Sequence, residues 1–228
     1  SIAVWFLLVY ERGKTRFLAH DFDKLVRTLT VDRFFKTPPL ISPNSILLVI
    51  PAFNEEKNLR QLIPALPDEL LGCPVIPLVV DDGSQDFTPE MCAELNVPVA
   101  RNLINRGGGA ALRVGFDIAL SVKAEVVVTM DGDGQHRPED IVSLVGPIIA
   151  GQADLVIGSR LLGEMERYSK LRYWGVVLFG RMLSMLIGQK ITDPASGFRA
   201  FSPKVIETCV LTQDQYHTAE LIIEAVKK

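Results

Sequence analysis

The residues able to do chemistry fall in short acidic and glycine-rich stretches. Asp131-Gly132-Asp133-Gly134-Gln135-His136 sets oxygen-bearing side chains at alternate positions. In extended chain Asp131, Asp133 and Gln135 point the same way and make a hard oxygen donor set for a cation; a plain Gly/Asp turn is the alternative. An EF-hand loop starting at Asp131 would need Gly and Glu where the chain has His136 and Val142, so that reading fails. Pro51-Ala52-Phe53-Asn54-Glu55-Glu56 and Asp81-Asp82-Gly83-Ser84 supply further carboxylates. Carboxylates are costly to bury unpaired, so such a cluster calls for a cation or for donors from a ligand. Acids in the second stretch also suit a helix start, with Ser84 or Asp86 as the cap.

Other stretches carry weaker signals. Asn105-Arg106-Gly107-Gly108-Gly109-Ala110 precedes a helical pattern, and glycine amides at a helix N-terminus favour phosphate. Close packing of a turn explains them equally well. No GxGxxG opens a βαβ unit, which disfavours a Rossmann dinucleotide site. Arg160, in Gly158-Ser159-Arg160, suits either a phosphate or a structural carboxylate partner. Thr192-Asp193-Pro194-Ala195-Ser196-Gly197-Phe198-Arg199 is a polar turn before another apolar stretch. His20, His136 and His217 show no metal-ligand spacing, and there is neither a GxSxG elbow nor a P-loop.

The elements that must position these residues follow from periodicity. Ile46–Ile50, Val75–Val80, Glu125–Met130 and Asp154–Ile157 are short apolar runs that predict strands. Helical patterns over Glu56–Leu66, Pro89–Leu95, Ala110–Ser121 and Pro138–Ile149 alternate with them. The alternation predicts an α/β fold with a mostly parallel central sheet and helices on both faces. Ligands of such sheets bind at the carboxyl ends of strands, where the acidic stretches lie.

The ends read differently. An apolar run from Ile2 to Tyr10 is followed by Leu18, Phe22, Leu25 and Leu29 at helical spacing. That helix either docks on the main domain or lies on lipid. Pro38-Pro39 and Pro43 mark a linker, so residues 1–40 are expected to form a separate apolar, amphipathic segment, docked or membrane-associated, ahead of a domain at 41–228. Tyr173–Ile187 is strongly apolar and reads as a core helix or as one resting on a membrane. Thr218–Lys228 resembles a helix cut short, so the domain is expected to be truncated at its C-terminus.

Composition bounds the partners. The chain has 228 residues, of which 48% are hydrophobic and 22% charged, enough for one large domain with its own core. A formal net charge of −3 argues against nucleic acid as a partner. The three cysteines form no CxxC pair, which fits a reducing, cytoplasmic setting better than a disulfide framework. No apolar run reaches the length of about 20 residues that a membrane span needs.

Taken in order, PAFNEE, VVDDGS, DGDGQH, GSR and DPASGFR resemble the motifs of GT-A glycosyltransferases of family 2, within them the polyprenyl-phosphate (dolichol-phosphate) mannosyl- and glucosyltransferase branch. The resemblance runs from Ser45 to Lys228. It implies a GT-A, Rossmann-like fold and a donor site for a nucleotide sugar, GDP-mannose or UDP-glucose. Pro51, Phe53, Glu55, Asp81, Asp82, Asp131 and Gly109 match donor-binding positions. It implies Mg²⁺ or Mn²⁺ held by Asp131, Asp133 and Gln135, with Asp133 and Arg160 as catalytic residues. Ser169, Arg172 and Ser196 match the acceptor side, and Glu220 a following acidic position. Two positions depart from the pattern. Gly108 stands where many members have lysine, leaving Arg106 or Arg113 to supply a cation, and Arg137 stands within the usual HPP.

The reaction so implied moves a hexose, mannose first and glucose next, onto a polyprenyl or dolichyl phosphate with inversion. A phosphate monoester is mostly dianionic at neutral pH and needs no protein base, which suits a chain without evident His-based machinery. The protein is expected at the cytoplasmic face of a membrane, as a peripheral enzyme. The other readings are a related transferase with a saccharide or soluble acceptor, a nucleotidyltransferase, and a non-catalytic nucleotide-sugar-binding homologue.

Overall fold

A computed structural model describes residues 2–37, 41–161, 170–209, 211 and 217–226. Strands and helices alternate as the apolar runs predict. The strands are β1 (Ile46–Ala52), β2 (Glu69–Leu70), β3 (Cys73–Asp81), β4 (Val99–Arg101), β5 (Val126–Thr129), β6 (Leu155–Ile157) and β7 (Arg199–Phe201). The helices are α1 (Ile2–Phe34), α2 (Glu56–Leu62), α3 (Thr88–Glu94), α4 (Gly108–Val122), α5 (Ile141–Ile149), α6 (Lys170–Ile187), α7 (Pro203–Thr208) and α8 (His217–Val226).

The sheet order is β2-β3-β1-β5-β7-β6, with β4 also paired to β3. β3, β1 and β5 run parallel, and β4 extends β3 in parallel through Val79↔Val99 and Asp81↔Arg101. β7 is antiparallel to both β5 and β6 and lies between them. Its register, Thr129↔Arg199, brings Ser196, Gly197 and Phe198 beside the end of β5, where the acidic turn begins.

Alternation along β1 divides the core. Ile46, Leu48 and Ile50 pack with Leu59 of α2, Met91 of α3 and Ile141 and Val145 of α5. Leu47 and Val49 face the other way, onto Ala111, Val114 and Ile118 of α4, with α7 and α8 contributing Val205 and Leu221. That is the period-2 pattern of a strand buried on both faces, so β1 reads as an uninterrupted apolar run. α4 sits close on β1 because Gly115 leaves room for Val49, which any side chain there would strike.

The N-terminal helix docks, but through a face other than its apolar stripe. Thr30 is buried, and Val31 and Phe34 pack against the core on the α4 side. Leu18, Phe22, Leu25 and Leu29 remain 47–58% exposed. The spacing located an amphipathic helix correctly, while polar contacts decide which side meets the domain. Pro38-Pro39 lies outside the described residues.

Candidate functional site

The loops after β1, β3 and β5 meet at one end of the sheet, with β4 and the turn before β7 beside them. The first two loops are laced together. Asn54 N–H donates to Ser84 Oγ (2.9 Å), and Gln85 N–H donates to Asn54 Oδ1 (2.8 Å). Glu55 N–H donates to Thr88 Oγ1 (3.1 Å). Asp86 accepts Glu56 N–H at the start of α2 and Thr88 N–H at the start of α3, so one carboxylate satisfies amides of two helices. This lacing fixes the segment carrying Pro51, Phe53 and Glu55. Phe53 is exposed, Pro51 half-buried, and Glu55 holds Asn58 Nδ2 at 2.6 Å.

Asp81 and Asp82 are both buried. Asp81 Oδ1 accepts Ser84 N–H (2.8 Å), and Arg101 Nε lies 3.1 Å from Oδ2. That contact lacks hydrogen-bond geometry, so among the described residues Asp81 Oδ2 accepts no hydrogen bond. A buried carboxylate oxygen in that state suits a ligand N–H donor. Arg101 also donates to Ser84 O (3.2 Å). It sits on β4, a three-residue strand too short for periodicity to reveal, which hides Arg101 from a sequence-based site prediction.

Asp82 answers the question about the glycine loop. Its Oδ2 accepts the backbone N–H of Arg106 (2.8 Å) and of Gly107 (2.6 Å), and its Oδ1 accepts Asn102 Nδ2 (2.8 Å). Two amides of the loop, those of Arg106 and Gly107, are therefore taken by a protein carboxylate. Gly107, at φ +97°, makes the turn that presents them. Gly109 is buried in the first turn of α4. The two cations considered as replacements for the absent lysine are also engaged, since Arg106 and Arg113 both pair with Asp23 of α1.

The acidic turn departs from the extended arrangement that its alternation predicts. β5 ends at Thr129, and the chain turns through Gly132 and Asp133, with Gly134 at φ +75°. Asp133 Oδ1 accepts Gln135 N–H (3.0 Å), a local turn contact that competes with continued strand. Asp131 is 53% exposed, and Asp133 and Gln135 are exposed as well. His136 Nε2 lies 3.5 Å from Asp131 Oδ2, and its ring stacks on Phe198 at 4.8 Å between centroids. No group of three His, Cys, Asp or Glu side chains converges among the described residues. The set is nonetheless suited to a hard divalent cation that takes one or two carboxylates and completes its shell with phosphate and water.

Arg160 has a carboxylate partner within the fold. Its Nε and Nη2 donate to Asp193 Oδ2 (2.7 Å) and Oδ1 (3.0 Å), and its backbone N–H donates to Oδ2 (3.1 Å). Burial alone would raise the Asp193 pKa, but the hydrogen bond and charge of Arg160 outweigh it and hold the carboxyl below its ordinary value. Arg199 is almost fully buried and donates to the carbonyls of Ser196, Thr218 and Pro194. Burial lowers its pKa to about 10, opposed by the charges of Asp193 and Asp131. Ser196 is fully buried and accepts Phe198 N–H (3.2 Å), so it shapes the turn and does not face outward toward an acceptor. Ser169 lies outside the described residues. Arg172 falls within α6, and its side chain is likewise outside the description.

Similarity to known proteins covers this same region. Residues 47–210 match the family described as Glycosyl transferase family 2. The chain is 30% identical to UDP-N-acetylglucosamine–dolichyl-phosphate N-acetylglucosaminyltransferase of Methanococcus voltae, over 80% of each chain. It is 37% identical to dolichol-phosphate mannosyltransferase of Pyrococcus furiosus, over 71% of this chain and 47% of that one. Glucosyl-3-phosphoglycerate synthase of Mycobacterium tuberculosis, crystallised with Mn²⁺, UDP and glucosyl-3-phosphoglycerate, shares the fold at a TM-score of 0.62 and 23% identity, over 81% of this chain and 66% of that one.

Proposed function

The chain belongs to glycosyl transferase family 2, and from that membership we propose that it moves a hexose from a nucleotide sugar to a polyprenyl or dolichyl phosphate. The supporting observation is the meeting of the Phe53, Asp82 and Asp131 loops at one end of a GT-A sheet. Relatives whose names specify a dolichyl-phosphate acceptor support the choice of acceptor.

In this reading the acceptor phosphate oxygen forms a bond to the anomeric carbon. The bond from that carbon to the diphosphate oxygen breaks, and the nucleoside diphosphate leaves with the electron pair. A single displacement inverts the centre, and the phosphate dianion needs no protein base. Asp81 receives a base or ribose donor at Oδ2, the buried oxygen that Arg101 approaches, once Arg101 gives way beside the loop of Pro51, Phe53 and Glu55. Asp131 and Asp133, with Gln135 adjoining, would hold Mg²⁺ or Mn²⁺, which when bound supplies Lewis-acid stabilisation of the leaving diphosphate. Arg160 works through the turn it shares with Asp193, and His136 and Phe198 wall the acidic turn on the β7 side.

The exposed apolar residues of α6, among them Trp174, Leu178, Met182 and Met185, suit contact with a lipid surface where a prenyl acceptor resides. Among the described residues no helix is long and apolar enough to cross a membrane.

The test is transfer of labelled sugar to a short prenyl phosphate, with GDP-mannose, UDP-glucose and UDP-N-acetylglucosamine run side by side. A lipid-linked product from one donor supports the reading and names the sugar. Donor hydrolysis without transfer keeps the donor site and removes the prenyl phosphate.

A further inference from the structure

The N-terminal helix lies outside the family match, yet it reaches both oxygens of Asp82 through one intermediary each. On one side, Thr30 Oγ1 donates to Asn102 Oδ1 (3.0 Å), and Asn102 Nδ2 donates to Asp82 Oδ1 (2.8 Å). On the other, Asp23 Oδ1 accepts Arg106 Nη2 (2.5 Å) and Arg113 Nη2 (2.7 Å), and the Asp23 carbonyl accepts Arg106 Nη1 (3.3 Å). Arg106 is the residue whose own N–H, with that of Gly107, closes on Asp82 Oδ2. The Arg106 and Arg113 side chains are only 8% and 5% exposed, and that of Asp23 19%.

We infer that α1 is a positioning element of the donor site, in which Asp23 and Thr30 together fix the orientation of the Asp82 carboxylate and of the glycine loop that closes on it. The assignment of Asp82 to the donor site rests on the function proposed above; the hold of α1 on Asp82 does not.

Three features make this more than helix docking. The contacts converge from two points of α1 seven residues apart, two turns of one face, onto a single carboxylate. Removing Asp23 would take the carboxylate that Arg106 and Arg113 share out of a largely buried site, and Arg106 carries the loop with it as it seeks water. Docking also has an ion pair that makes no direct contact with Asp82 or the loop, Arg27 Nε to Asp117 Oδ2 at 3.3 Å, with Asp117 also within reach of the charges of Asp23 and Arg113. The Asp23 carboxyl is held below its ordinary range: burial opposes this, and the two arginines outweigh it.

The experiment compares Asp23→Asn, Asp23→Glu, Thr30→Val and Arg27→Gln in the full chain. Hydrogen–deuterium exchange is read on peptides spanning residues 102–109, and binding of UDP and GDP is read by calorimetry with Mn²⁺. Asp23→Asn is expected to speed exchange across the Arg106 and Gly107 amides by about tenfold or more, with a matching rise in Kd for whichever nucleotide the wild type binds. Thr30→Val shows the same direction with smaller size, Asp23→Glu restores most of the loss, and Arg27→Gln changes neither reading. In turnover the loss falls on the donor KM, with kcat within about twofold. Unchanged exchange in Asp23→Asn, or equal effects in Asp23→Asn and Arg27→Gln, overturns the inference. If Asp23→Asn does not fold, Thr30→Val against Arg27→Gln decides it. A wild type that binds neither nucleotide overturns the donor-site reading instead, and the exchange rates still judge the role of α1.

Discussion

Gly197 stands against the carboxylate of Asp131 so closely that a Cβ on Gly197 would lie 2.5 Å from Asp131 Oδ2. The contact follows from the sheet. β7 pairs antiparallel with β5, so the turn entering β7 faces the turn leaving β5. Space rather than backbone conformation sets this contact, since the Gly197 φ is not in the left-handed region and the atoms a Cβ would meet are the movable end of the Asp131 side chain. Gly197→Ala should therefore displace the Asp131 carboxylate while leaving the core intact. We expect turnover to fall by about a hundredfold, the usual cost of misplacing a reacting group by an ångström, with the melting temperature little changed. Steady-state kinetics beside a thermal melt checks this; wild-type kinetics would remove Asp131 from the site.

Asp193 and Arg160 form a bidentate pair whose acid member is almost fully buried. Asp193→Ala should lower the unfolding free energy by about 3 kcal/mol, the low end for a broken buried pair because Arg160 keeps some access to water. The pH dependence has a definite sign. The folded carboxyl is held below its ordinary value of 3.8, so its stabilisation is present above that value and is lost as pH falls through the folded one. The stability difference between wild type and Asp193→Ala should thus stay constant near neutrality and shrink only below about pH 4. Urea unfolding at a series of pH values measures it.

Cys92 is fully buried, and burial first, then the charge of Asp81, pushes its thiol up to about 12. Alkylation of the native protein at pH 8 should modify Cys73 and Cys209, both half-buried, well before Cys92. Peptide mass spectrometry after brief iodoacetamide treatment reads the order. Early labelling of Cys92 would mean that the face of the sheet covered by α2 and α3 opens readily.

The outward face of α6 carries Leu178, Met182 and Met185, each at least 62% exposed. Replacing all three with serine should weaken binding to liposomes by up to about a thousandfold, since each loses about 1.5 kcal/mol of apolar burial. Sedimentation with vesicles of bacterial or archaeal polar lipids measures it. Unchanged sedimentation would take α6 out of the membrane contact.

The sequence was legible where a local rule carries the information. The apolar runs located β1, β3, β5 and β6, and the acidic motifs fell at strand ends because parallel sheets gather their ligands there. β4 and β7 escaped because three residues hold too little periodicity, and β7 alone explains why Gly197 meets Asp131. The glycine loop and Arg160 were ambiguous for another reason. Their partners, Asp82 and Asp193, lie 24 and 33 residues away, and only the fold shows that each pair is closed. The stripe of Leu18, Phe22, Leu25 and Leu29 was visible as a helix. Its outward direction was not, because Asp23, Arg27 and Thr30 determine which face docks.

In the proposed reaction the turn of Asp131 and Asp133 serves the leaving diphosphate of a sugar donor. The measurement that tests it most directly is sugar transfer to prenyl phosphate by wild type and Asp133→Asn, each with Mn²⁺ and with EDTA. Asp133 is exposed and makes only a local turn contact, so the variant should fold normally. Wild type should transfer sugar in a reaction that EDTA abolishes, and Asp133→Asn should lose about a thousandfold. Transfer that survives both EDTA and the substitution would contradict it.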